Sequence, residues 1–449
     1  MGARTRLWAM VVAALVSGAA CSDTPMADAP REATGIELVS GDQQQGMEGQ
    51  ALRDALTVRV FAADGLGVEG VDVTFSATGG GGRVDEATVT SGPDGVAATG
   101  GVFGDASGDQ TFEASVAALG TVEFTMTGYP YVGLRPISGY VAELVAEETG
   151  TTATFGGLLV RGLTYNPDTD YFLTINRQGF DDIVEITRAG EFRTIVSGFG
   201  GGGTKDDHFS VGSGNFGWVA EGHGRTLTPF TPATEGGVRA PDLVVPDDPN
   251  GGSPELHASE PDANGDLIVG FGPSEGVAEV GVPRDWYRVT QAGVITPLFT
   301  SSNSVIFWMT RDPSTDRFYG FDLYDSGSSA GWSTANSQLV EIDIAAGSIE
   351  PVGSELDGDF VDLSFDYSRD LVDRDVIWAI RNTFSVEEVN PADGTNPDGD
   401  FVVALSDNAL RGLAIAPSTS DSGTTSMYVL VLETVGDDVT ARLVEVRRW

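Results

Sequence analysis

The chain repeats itself. "PDTDYFLTI" at Pro167 returns in outline as "PSTDRFYGF" at Pro313, and "LVRGLTYNP" around Gly162 returns as "ALRGLAIAP" around Gly412. The first pair lies 146 residues apart and the second 250, near three and five steps of one 50-residue unit. Such spacing specifies an array of like modules, each too small to bury its apolar face alone. Inside a unit the runs are short, alternating and bounded by Gly, Asp, Asn or Pro, which makes them strands. Unit one contains "GLTYNPDTDYFLTI", "DIVEIT" and "FRTIV". Unit three contains "GDLIVGF", "DWYRVT" and "VITPLFT", unit four "DRFYGFD", "QLVEIDI" and "GSIEPV", and unit five "VIWAIR", "SVEEVN" and "FVVAL". Unit two, His208 to Val245, is the least regular. Four strands every 45 to 50 residues is the spacing of propeller blades.

The sixth unit has "RGLAIAP", "SMYVLVLE" and "ARLVEVRRW" and then no fourth strand. A ring closes when one end of the chain supplies the strand missing at the other. "GYVAELVAE", Gly139 to Glu147, is placed to do so, which removes two edges at once. The count is six blades; the irregular second unit also admits five or seven. The expected fold class is all-β, a sandwich over residues 34–128 followed by a β-propeller over 139–449, in architecture similar to six-bladed propellers of the lactonase and lyase kind. Tyr129 to Pro136, "YPYVGLRP", reads as a junction between two self-sufficient cores.

The sandwich rests on about seven short runs between Ile36 and Gly128. "SGDQQQGMEGQAL", "TVRVFAADGLGVEGVDVTF", "TSGPDGVAATGGVFGDASGDQTFEASV" and "VEFTMTG" follow one another there. This order resembles the bacterial Ig-like repeat of invasins and intimins, which implies a stalk or spacer module, some copies of which bind host proteins.

The single cysteine, Cys21, excludes an internal disulfide. Arg4 and Arg6 precede the apolar run Leu7 to Val16, and "SGAAC" follows. This resembles a bacterial lipoprotein signal peptide over residues 1–20, with Gly18 where Leu or Val is usual; an ordinary secretory signal exports the chain as well. The resemblance implies lipidation at Cys21, a polar tether over 21–33, and an outer-membrane or cell-surface location, held to the membrane by the lipid anchor. The net charge of −41 excludes nucleic acid as a partner, because such a surface repels phosphate backbones. It suits saline surroundings or divalent cations.

Two clusters are candidate metal sites, for calcium or another divalent ion. His208 and His257 are one blade step apart at the beginnings of inner strands, with Asp207, Glu255 and Glu260 nearby. "NPADGTNPDGD", Asn390 to Asp400, offers Asp393, Asp398 and Asp400 beside Asn396. Polar loop residues and an acidic turn are the plain alternatives. "DANGD", Asp262 to Asp266, has Leu267 where a calcium loop needs Gly, so it reads as a turn between blade strands. Two functions follow. One is a surface protein whose spacer presents a propeller that binds an extracellular protein or glycan; the other is an exported metal-dependent propeller enzyme of lactonase or lyase type.

Overall fold

A computed structural model describes residues 31–449 except 152–160, 177–181, 200–207, 213–214, 221–224, 233–236, 247–254, 273–282, 302–303, 324–335, 398 and 406–407. The signal and tether therefore lie outside the described residues, as do His223, Asp207 and Asp398. Among the described residues all regular structure is β, and no helix is long and apolar enough to cross a membrane.

The N-terminal part is a two-sheet sandwich. Ala33–Ser40, Leu56–Ala62 and Val96–Thr99 form one sheet; Gln45–Met47, Gly120–Tyr129, Gly108–Val116, Asp72–Gly79 and Thr88–Thr90 form the other. In "LTVRVFA" the alternate residues Leu56, Val58, Val60 and Ala62 point inward, where Phe75, Phe112 and Phe124 meet them from the second sheet. Each such burial contributes about 1.5–3 kcal/mol. The "GPDG" turn needs its glycine: Gly95 has φ 75°, and a Cβ there would fall 2.2 Å from the Val60 carbonyl oxygen.

Six further sheets follow, and their first strands contact one another in a closed ring. These inner strands are Arg161–Asn166, His208–Gly212, Glu255–Pro261, Ile306–Asp312, Phe360–Asp366 and Ala409–Pro417, in blades one to six. The molecule therefore contains a six-bladed propeller. The doubled hairpin is one element in blades one and four. Asn166 Oδ1 accepts the Asp168 N–H at 3.1 Å and Asp312 Oδ1 accepts the Ser314 N–H at 2.8 Å, each turn ending on a left-handed aspartate, Asp170 or Asp316. Asp262 to Asp266 is the same turn in blade three, with Asp262 Oδ1 accepting from Asn264 and Asp266.

The ring closes in blade six. Tyr140–Thr151 pairs antiparallel along the whole of Asp438–Arg448, making the outermost strand from the beginning of the propeller. The glycines of the two "RGL" copies meet at the adjoining seam, where a Cβ on Gly412 would come 2.6 Å from the Leu163 nitrogen.

The junction differs from its sequence reading. Leu134–Pro136 is a fifth strand on blade five, paired with Asp400–Ala404, and Val132 and Leu134 are buried in the core shared by blades five and six. Pro136 is tolerated because the strand is an edge. The sandwich docks on this seam. Met47 is buried in the same core, and the Gln50 amide, 4% exposed, donates to the carbonyls of Pro136, Ile137 and Tyr140 at 3.0, 2.6 and 3.2 Å. Arg447 reaches the Tyr129 hydroxyl at 3.3 Å, and Arg53 lies 5.8 Å from the centre of the Trp449 ring.

Candidate functional site

All six inner strands border one cavity of about 640 Å³ along the propeller channel. Five of the six carry a β-bulge near their beginnings, at 162–163, His257, 307–308, Asp362 and Arg411. A bulge adds one residue against the pleat and re-aims side chains, so the strands can present polar groups inward without losing their pairing farther along. The walls are aromatic where Tyr165, Phe209, Phe307 and Trp308 line them, and Tyr367, 55% exposed, lines the same space.

Three acids border the cavity, Glu260, Asp362 and Asp366, and the last is taken up by Ser368, whose N–H donates to its Oδ1 at 2.9 Å. Asp362 sits at its bulge with φ 52°, a left-handed conformation that an L-residue keeps only when its surroundings hold it. Its Oδ2 accepts the Leu413 N–H at 2.8 Å, tying blade five to blade six. Burial dominates its titration and pushes it up to about 7, against the backbone N–H groups of Leu413, Leu163 and Leu363, which favour the charged form. Glu260, at the far end of its strand, is pushed up to about 8, chiefly by burial, with Arg311 opposing and the Asp362 charge adding. Both side chains remain partly accessible because they border the cavity. Arg311 is committed to Asp316, Nη1 to Oδ1 at 3.1 Å. Ser210 from blade two is 6% exposed, and its Oγ has no hydrogen-bond partner among the described residues.

Glu260 and Asp362 can therefore exchange a proton near neutral pH, and the rings can stack on a flat or apolar body. No protein-family model matches the chain, and no curated protein matches it. It is similar to several solved structures. One is regucalcin, a calcium-binding protein of Agrobacterium tumefaciens: 18% identity, TM-score 0.41, covering 65% of this chain and 92% of that one. The soluble aldose sugar dehydrogenase of Escherichia coli gives 11%, TM-score 0.43, and 69% and 100%. An auxiliary nutrient-binding protein of Bacteroides ovatus gives 13%, TM-score 0.39, and 93% and 99%. These likenesses bring no ligand or activity to this chain, and the blade count rests on the sheet order.

Of the residues singled out in the sequence, Glu260 borders the cavity. His208 is the first residue of its inner strand and His257 the bulge of the next, so both backbones stand in the ring; their side chains, like that of Glu255, lie outside the described residues. Among the described residues no three His, Cys, Asp or Glu side chains gather as a metal site would need. Asp393 and Asp400 lie elsewhere, in the turn and fourth strand of blade five, away from its inner strand. Asp393 Oδ1 accepts from Thr395 N and Oγ1 at 3.0 and 2.7 Å, and Asp400 pairs in register with Glu387. Sequence reasoning missed Asp362, Ser210 and Arg311. It begins unit five at "VIWAIR", one strand late. Asp362 stands in "FVDLSFD", where an acid on a strand reads as a solvent-facing residue.

Proposed function

We propose that the chain is an exported surface lipoprotein, anchored at Cys21, in which a sandwich of the bacterial Ig-like kind holds the propeller outward as a binding platform. The ligand site is the channel. The observation that carries this reading is the cavity itself: about 640 Å³, bordered by every blade, with stacking surfaces and a few polar groups, the usual make-up of a small-ligand site. The fixed docking of the sandwich suits a rigid spacer better than a hinge. Titration calorimetry against soluble sugars and small aromatic compounds tests it. Binding should be lost in Tyr367→Ala while the melting temperature stays near the parent's, because this ring is 55% exposed; a ligand that binds both proteins equally places the site elsewhere. Replacing Cys21 by Ser should release the protein from washed membranes, and retention would refute the anchor.

One observation favours the enzyme reading: two acids held near neutrality in one cavity are what general acid–base chemistry requires. In that case lactone hydrolysis should fall by about 10²-fold or more in Glu260→Gln. Metal analysis of the parent and of the double variant His208→Ala, His257→Ala decides whether a divalent ion takes part.

A further inference from the structure

We propose that the channel takes an organic ammonium ion, a primary amine carried on a flat apolar or aromatic body. This deepens the ligand-site reading above and rests on it. The cavity is far larger than one metal ion needs and matches a small organic molecule. Phe209, Phe307 and Trp308 border the space, and aromatic rings attract cations electrostatically, most strongly where water is excluded, as Arg188 over the Tyr165 ring at 5.4 Å already illustrates at its rim. Glu260 and Asp362 approach the same space from blades three and five. Arg311, the cationic side chain lining that space, turns its guanidinium to Asp316 at 3.1 Å. Ser210 lines the same space, and its buried Oγ, without a partner among the described residues, becomes an acceptor for an N–H on a rotation about χ1. A neutral sugar would stack on the same rings but would bring no positive charge to pair with Glu260 or Asp362 in the ionised form. The overall charge of −41 also concentrates cations near the molecule.

The test is calorimetry on the intact chain with three probes: 2-phenylethylammonium, its neutral analogue 2-phenylethanol, and calcium chloride. The ammonium should bind at least about tenfold more tightly than the alcohol, and Glu260→Gln should remove about that factor. Ser210→Ala, which leaves the fold's charges alone, should weaken the ammonium several-fold at an unchanged melting temperature, and it carries the test should Glu260→Gln fail to fold. Equal affinity for ammonium and alcohol overturns the inference while leaving the channel as the ligand site. Calcium binding without ammonium binding also overturns it, in favour of a metal site. Failure of both aromatic probes to bind removes the inference and the channel reading together.

Discussion

Glu260 joins stability to pH in a way that can be measured. Its carboxyl is raised from an ordinary 4.5 to about 8 by burial. Below pH 4.5 the folded and unfolded chains both carry the proton; above it, up to about 8, only the folded chain does. Stability from this group is therefore complete at low pH and lost as pH rises through about 8. With ~1.4 kcal/mol for each unit of displacement, the loss is on the order of 5 kcal/mol. The melting temperature of the parent should fall between pH 5 and 9 more than that of Glu260→Gln; parallel curves would show that the acid is not desolvated. Asp362 predicts a contrast between variants. Asn keeps an acceptor for the Leu413 N–H and tolerates a left-handed backbone, whereas Ala does neither. Asp362→Ala should lose about 2–4 kcal/mol in denaturant unfolding and Asp362→Asn clearly less. Equal losses would mean that the clamp contributes nothing. Neither role was legible in the sequence. Asp362 in "FVDLSFD" is indistinguishable from a solvent-facing strand residue until the bulge is known, and a bulge leaves no composition signal when Asp stands where Gly162 stands in the first "RGL".

Among the elements, the turns were the most legible, because an Asx turn is a local device: Asn or Asp accepts from the backbone two residues on, whatever the rest of the fold does. That locality is why "PDTD" and "PSTD" could be matched across three blades. The closing strand was legible for another reason: a sixth unit one strand short needs a partner, and all of Gly139 to Glu147 except its first residue lies within the strand found there, Tyr140–Thr151. Leu134–Pro136 was not legible, since three residues ending in proline carry no periodicity and gain their pairing from blade five alone. Deleting Gly139 to Glu147 should strip blade six of its edge and lower the melting temperature by at least about 10 °C or cause aggregation, while deleting Ser22 to Pro30 should change nothing measurable. Equal melting of the two deletions would place closure elsewhere.

For the whole molecule, the sandwich and the closing seam form one buried interface. Met47 shares a core with Leu134, Ala142, Trp378 and Phe401, so Met47→Ala should cost about 2–5 kcal/mol of the propeller's stability although the residue belongs to the sandwich. The closure that this interface covers is the central claim, because the channel and its acids exist only if both ends of the propeller meet in one blade. Thr149 and Thr440 lie opposite each other on the two strands, their hydroxyls 3.0 Å apart and exposed. The chain's single cysteine makes the test clean. With Cys21→Ser, Thr149→Cys and Thr440→Cys combined, mild oxidation should give a monomer with one internal disulfide, joining the two peptides by mass spectrometry. Free thiols, or cross-links found only between molecules, would contradict the closed six-bladed ring.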